Sequence, residues 1–227
     1  TIVNALLNEG QQSSSLQEIV PVSGLTMSAY VIVTNAAAPG ASLTDLIAFA
    51  RTNPGALRVG TYGIGTQSHM AFELFKRRAG LDVTHVPYRG GAPMVSDLLG
   101  RHIDVAFDTS ASALPHVKVG ALRALAVTTT ERLKGALPDV PAVAETLPGY
   151  EALVRTGIGV RRGTATEIVE RLSLEINAGL GDPAIRARIE DLAITPTIYR
   201  PETFAMMWEQ EKASSFRLVQ DMNIRQE

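Results

Sequence analysis

From Ala29 onward the chain repeats one grammar: a short β-rich run, a turn marked by glycine or proline, then an amphipathic segment of helical period. Runs of this kind, separated by helices long enough to cross back over the sheet, predict an α/β fold with parallel strands joined by crossover helices. "AYVIVTN", Ala29 to Asn35, is the first strong strand, and Pro39-Gly40 breaks it. Ser42 followed by Asp45 makes a capping-box start for "SLTDLIAFAR", whose Leu43, Leu46, Ile47 and Ala50 form one apolar stripe. "ALRVGTY" is the next strand, followed by a glycine turn and a helix from Thr66 to Ala79 that Gly80 closes. "DVTHVPY" is a strand again, "RGGAP" its turn, and a helix runs through "MVSDLLG" with Pro93 in its first turn and Gly100 at its end. "IDVAFD" and "LRALAVT" are further strands, with "SASALPHVKVG" as a helix carrying an early proline between them. A Pro-rich loop spans Thr128 to Pro148, and a β-prone run, "YEALVRTGIGV", follows it. Thr164 with Glu167 reads as a second capping box for a helix to Leu180, and Asp182-Pro183 caps and starts another. "ITPTIYR" reads as extended. The last segment is a long helix with Phe204, Met207, Trp208, Glu211, Ser215, Leu218 and Met222 along one side.

A sheet covered on its faces by helices needs a sizeable core, and 227 residues at 45% hydrophobic content suffice for one large or two small α/β domains. A formal net charge of −2 leaves no basic stripe. The longest basic cluster, Lys76-Arg77-Arg78, falls in the last turn of a helix where cations complement the dipole, so nucleic acid is not an expected partner. With no cysteine there is no disulfide framework, thiol nucleophile or thiolate zinc site, and the compartment stays open. No apolar run approaches the roughly 18–20 residues of a membrane helix. The stretch "TIVNALLNEGQQSSS" lacks the basic start and apolar core of a signal peptide.

The residues that carry chemistry cluster at strand ends. "GTYGIGTQSHMAFE", Gly60 to Glu73, lies between a strand and a helix. Read as a dinucleotide fingerprint it gives Gly63-x-Gly65-x-x-Ser68 with Asp82 downstream, but Ser68 replaces the glycine needed for close helix packing. Two readings remain open: a tight turn with Thr66 as helix cap, or a small-anion seat in which the N–H groups of Gly65 to Ser68 and the positive end of the helix hold a carboxylate. His69 and Glu73 form a local helix pair rather than half a metal site, and no metal is expected. Ser68 beside His69 is no nucleophile–base pair, and no G-x-S-x-G elbow occurs. "VPYRGGAP", Val86 to Pro93, is a second glycine turn with an aromatic and a cation beside it, and Asp108 ends a third strand. Parallel sheets bind ligands at the carboxyl ends of their strands, so Tyr62, Tyr88 and Asp108 are expected to bring polar or small residues to one edge.

The order of these segments resembles the Bug/TctC family of bacterial extracytoplasmic solute receptors, the binding proteins of tripartite tricarboxylate transporters. The likeness is carried by "GTQSHMAFELFK", "HVPYRGGAP", "LRALAVT" with the following "LPDVPAVAE", and "PGYE". It implies a periplasmic-binding-protein type II-like α/β fold with two lobes of parallel-rich sheet flanked by helices, closing on a small organic carboxylate between them. It implies no cofactor, no catalysis, a periplasmic location and membrane transporter subunits as partners. Carried over, the second-lobe part of the site is the turn Gly63, Gly65, Thr66, Gln67, Ser68 and His69, then Tyr88, Gly90, Gly91 and Ala92, then Asp108. The family arrangement puts residues 41–152 in the second lobe and 1–40 with 153–227 in the first, with crossovers near 29–35 and 151–160.

The family opens with a strand, a glycine-glycine turn with a downstream aspartate, a helix and a second glycine-rich segment, and none of these precedes "NALLNEG" here. The resemblance therefore implies an incomplete first lobe. The alternative it leaves is a shortened, self-associating homologue with an incomplete ligand site. Tyr62 and Ile64 are bulkier than the residues common in that turn, which points to a ligand with an apolar or aromatic part.

Overall fold

Local chemistry within a few residues sets several of the helix boundaries. In a computed structural model, which describes residues 18–133 and 135–222 and, within the last helix, side chains as far as 217, strand β1 (Ile19–Thr34) leads into helix α1 (Leu43–Thr52) through the capping box. Ser42 accepts the Asp45 amide while the Asp45 carboxylate accepts the Ser42 amide, and the predicted stripe of Leu43, Leu46, Ile47 and Ala50 is buried. Strand β2 (Arg58–Thr61) precedes α2 (Gln67–Ala79), with Thr66 as N-cap and Gly80 left-handed at its end. Strand β3 (Thr84–Pro87), α3 (Gly91–Leu99), β4 (Val105–Thr109), α4 (Ser110–Lys118) and β5 (Arg123–Val127) continue the pattern. A single-turn helix α5 (Val143–Thr146) interrupts the Pro-rich loop. Strand β6 (Leu153–Arg161), α6 (Thr166–Gly181), α7 (Pro183–Glu190), β7 (Ile194–Pro196) and α8 (Pro201–Met222) complete the described chain. Position "NALLNEG" and the side chains of Leu218 and Met222 lie outside the described residues.

The chain divides into two compact units, Ser28–Val154 and the described residues on either side, up to Met27 and from Arg155. The central unit is built on strands in the order β3-β2-β4-β1-β5. Strand β2 runs parallel to both β3 and β4, as the crossover helices require. The sheet is parallel-rich, as expected, and β1, a single strand shared by both units, runs antiparallel to β4 and β5. Side chains alternate across this sheet. Tyr30, Ile32, Val105 and Phe107 pack with α1 and α2 on one face, whereas Ala29, Val31, Val33 and Ala106 pack with α3 and α4 on the other. Burial on both faces explains why "AYVIV" is continuously apolar.

The other unit takes the first half of β1, with β6 and β7 as its partners. Close backbone approach at Gly157, where a Cβ would lie 2.9 Å from the Ser23 carbonyl oxygen and 2.2 Å from the Phe204 ring, explains the glycine in β6. Along α8 the predicted positions Phe204, Met207, Trp208, Glu211 and Ser215 are among the less exposed, together with Ala205 and Lys212.

Three local expectations change. The first strand is longer than Ala29 to Asn35, because its first half is held by pairing with distant strands despite Pro21 and Gly24. The Thr164 and Glu167 box does not form: the Thr164 hydroxyl donates to the Arg161 carbonyl at 2.7 Å, and α6 starts after an uncapped Ala165. Gly100 ends α3 in a right-handed conformation, and Arg101, at φ 63°, makes the left-handed turn instead. Its amide reaches Leu98 at 3.2 Å and that of His102 reaches Asp97 at 2.8 Å, closing the helix one residue later than its glycine suggests. Asp182 does cap α7, accepting the Ala184 and Ile185 amides with Pro183 in the first turn.

Candidate functional site

Because β2, β3 and β4 are adjacent and parallel, their carboxyl ends deliver three turns, and the N-termini of α2, α3 and α4, to one edge of the sheet. Gly63 at φ 121° and Gly65 at φ 71° make the β2–α2 turn. A Cβ on Gly63 would lie 2.8 Å from the Tyr88 carbonyl oxygen, so this glycine also sets how closely the first two turns approach. Thr66 locks the helix start: its hydroxyl donates to the Gly63 carbonyl at 2.7 Å and accepts the His69 amide at 3.3 Å.

The turn offers fewer donors than the sequence suggested. The Gly65 amide donates to His69 Nδ1 at 3.2 Å, and the Thr66 amide to the Gly63 carbonyl at 3.2 Å. The amides of Gln67 and Ser68 make no hydrogen bond among the described residues, as expected for the first turn of a helix. The side chains of Ser68 and His69 are buried pegs rather than exposed contacts. The Ser68 hydroxyl donates to the Phe107 carbonyl at 2.9 Å and accepts the Tyr62 amide at 3.4 Å, joining α2 to β4 and β2. His69 Nε2 lies 3.8 Å from Glu73, the local helix pair expected, and no group of three metal-ligating side chains occurs among the described residues.

Tyr62 and Asp108 do meet. Asp108 is fully buried, accepts the Tyr62 hydroxyl in a short hydrogen bond, and also accepts the Thr109 amide at 3.0 Å. The Thr109 amide is shared with the Tyr62 oxygen at 2.9 Å, so the phenol sits on the N-terminus of α4. Burial pushes the Asp108 carboxyl above the usual carboxylate range, against those hydrogen bonds, and burial followed by Asp108 raises the Tyr62 phenol. The Tyr62 ring stands edge-on to Tyr30 at 6.3 Å and lies over Gly91, where a Cβ would come within 3.2 Å of it. Tyr88 departs from expectation. Its backbone amide joins β2 through the Thr61 carbonyl at 3.0 Å, but its hydroxyl turns back along α3 to Asp97 at 2.7 Å, and burial then Asp97 lift it to about 12. Gly90, at φ 119°, has open space where a Cβ would be and starts α3 without a side-chain cap. Ala92 is exposed in the first turn of the same helix.

One feature of the site has no linear signal. His69 and His85, on α2 and β3, stack at 4.3 Å with an interplanar angle of 2°. His85 Nε2 is 2.7 Å from the Thr61 hydroxyl. Only the parallel β2–β3 register, which pairs Val59 with His85, brings that ring under the turn.

Comparison with known proteins places this geometry in context. A family model described as the tripartite tricarboxylate transporter family receptor matches residues 11–224. A UPF0065 protein in the tcbD–tcbE intergenic region of Pseudomonas sp. strain P51 is 35% identical over 205 residues, 89% of this chain and 61% of that protein. Protein BugT of Bordetella pertussis is 33% identical over 190 residues, 82% of this chain and 57% of its own length. The chain thus spans about three fifths of the length of these two curated relatives. Among solved structures, R. palustris Rpa4515 with adipate superposes with a TM-score of 0.92 at 30% identity, covering 98% of this chain and 75% of that one. MatC from Rhodopseudomonas palustris with bound malate gives a TM-score of 0.83 at 25% identity, covering 96% and 76%.

Proposed function

The chain belongs to the tripartite tricarboxylate transporter receptor family, and on that premise we propose that it binds a small organic carboxylate at the carboxyl edge of β2, β3 and β4, as the solute receptor of such a transporter. The observation that carries this reading is the pair of amides at Gln67 and Ser68, which have no acceptor among the described residues and stand at the positive end of a 13-residue helix. A carboxylate there accepts charge-assisted hydrogen bonds and complements the dipole without a cationic side chain. Gly63, Gly65, Thr66 and His69 shape that seat; Tyr88, Gly90, Gly91 and Ala92 form the second turn beside it; and Asp108 holds Tyr62 between them. The adipate and malate in two structural neighbours support a carboxylate as the ligand class.

In this reading the protein is a binding protein and not an enzyme, works in the periplasm and hands its ligand to membrane subunits; family membership supports each point. Isothermal titration of the chain with adipate, malate and citrate tests the binding. Saturable heat is expected with at least one of them, and its absence for all three, with the protein folded by circular dichroism, overturns the reading for this chain.

A further inference from the structure

The imidazole pair under the glycine turn does more than fill space. We propose that His69 is a positioning residue whose neutral ring, stacked on a neutral His85, latches the β2–α2 turn, so that acid opens the turn. The Gly65 amide donates to His69 Nδ1 at 3.2 Å, so that nitrogen carries a lone pair and the ring proton sits on Nε2. A second proton would put N–H against N–H at this contact and break it. Gly63 hangs from the same pair by a longer route: its amide reaches the Thr61 hydroxyl at 3.4 Å, and that hydroxyl is bound to His85 Nε2 at 2.7 Å. Of the two, the Gly65 contact is the one that needs an uncharged imidazole, because the Thr61 hydroxyl can still accept the Gly63 amide when His85 donates to it.

The surroundings oppose charging either ring. His69 is 5% exposed, and the two rings face each other at 4.3 Å, where two cations repel. From α2, Glu73 at 3.8 Å favours a cation, while Lys76, itself 3.6 Å from Glu73, disfavours one, and the Phe72 ring stacks against both imidazoles. From β2 the neutral Thr61 hydroxyl meets His85, and from β3 His85 itself stacks on His69. Burial first, then His85 and Lys76, hold His69 down to about 4; burial and then Lys76 hold His85 at about 4. A histidine depressed in the closed form binds fewer protons there than in the open form. The closed turn is therefore favoured above the ordinary value near 6.5, and that advantage is lost as pH falls toward 4. Opening frees the Thr66 cap and scatters the Gln67 and Ser68 amides. The latch is a property of the turn's own hydrogen bonds and holds whether or not a carboxylate is the ligand.

Nuclear magnetic resonance of the full chain, nitrogen-15 labelled and without ligand, tests it between pH 7.5 and 4. The expected result is His69 as the Nε2–H tautomer at neutral pH, titrating below pH 5.5. In the same step the exchange protection factor of the Gly65 amide should fall at least about tenfold, while that of Val31 in the central strand is unchanged. His69→Asn places an amide oxygen where Nδ1 stands, an acceptor for Gly65 that gains no proton, and should abolish the step at Gly65. If that variant does not fold, the wild-type titration decides alone. An Nδ1–H tautomer, an ordinary pKa near 6.5 with Gly65 unaffected, or simultaneous loss of protection at Val31 would each overturn the latch.

Discussion

Replacing Gln67 with proline removes a single donor from the carboxylate seat while leaving the helix that presents it intact. Gln67 is the first residue of α2, where an amide has no intrahelical acceptor and where proline is tolerated. Thr66 before it is extended, at φ −87° and ψ 161°, which is the conformation a following proline demands. No hydrogen bond among the described residues is broken by the substitution. A hydrogen bond to a charged group contributes about 1.5–3 kcal/mol. Its loss therefore weakens adipate or malate binding roughly 10- to 150-fold. Gln67→Ala keeps the amide and isolates the side chain's share, so it should weaken binding less than Gln67→Pro does. Isothermal titration of the three proteins gives the affinities, and urea denaturation should place all three within about 0.5 kcal/mol of one another. Gln67→Pro binding as tightly as wild type, with equal stability, would refute the helix N-terminus as the seat.

Further outcomes follow from the same geometry. Gly63→Ala should destabilise by about 2–4 kcal/mol, from its φ of 121° and the 2.8 Å approach to Tyr88, whereas Gly80→Ala, left-handed but in open space, should cost about 1–2 kcal/mol; denaturant midpoints reversing that order would contradict the reading of the turn. Ser42→Ala should cost about 1 kcal/mol by loss of the α1 cap, while Thr164→Ala, which caps no helix, should lose less in the same urea assay. Tyr150, fully buried, donates to the Ala71 carbonyl at 2.8 Å and packs on Phe75, so Tyr150→Phe should cost about 1 kcal/mol and Tyr150→Ala about 3–5 kcal/mol by thermal denaturation.

The site was legible where its chemistry is local. Thr66, Gly65 and Gly63 announce a tight turn into a helix because cap and left-handed residue act within four positions of each other. Tyr62, Tyr88 and Asp108 were readable as strand ends, but not as partners. Tyr62 meets Asp108, 46 residues away, because β2 lies beside β4, whereas Tyr88 has Asp97 nearly two turns into the helix that follows its own loop and bonds there instead. The donor set was overestimated for a related reason: His69 returns to the Gly65 amide from the first turn of the helix, and a residue's rotamer is set by what it packs on, here His85.

The amino-acid sequence by itself determined the alternation of elements, the caps at Ser42, Thr66 and Asp182, and the family to which the chain belongs, since each depends on residues near one another or on their order. Only the tertiary structure decided that β1 runs for 16 residues and antiparallel to β4 and β5, that Tyr62 covers the start of α4, and that two histidines stack beneath the glycine turn. Those contacts join positions 16 to nearly 100 residues apart, and sheet order, not any local preference, brings them within reach.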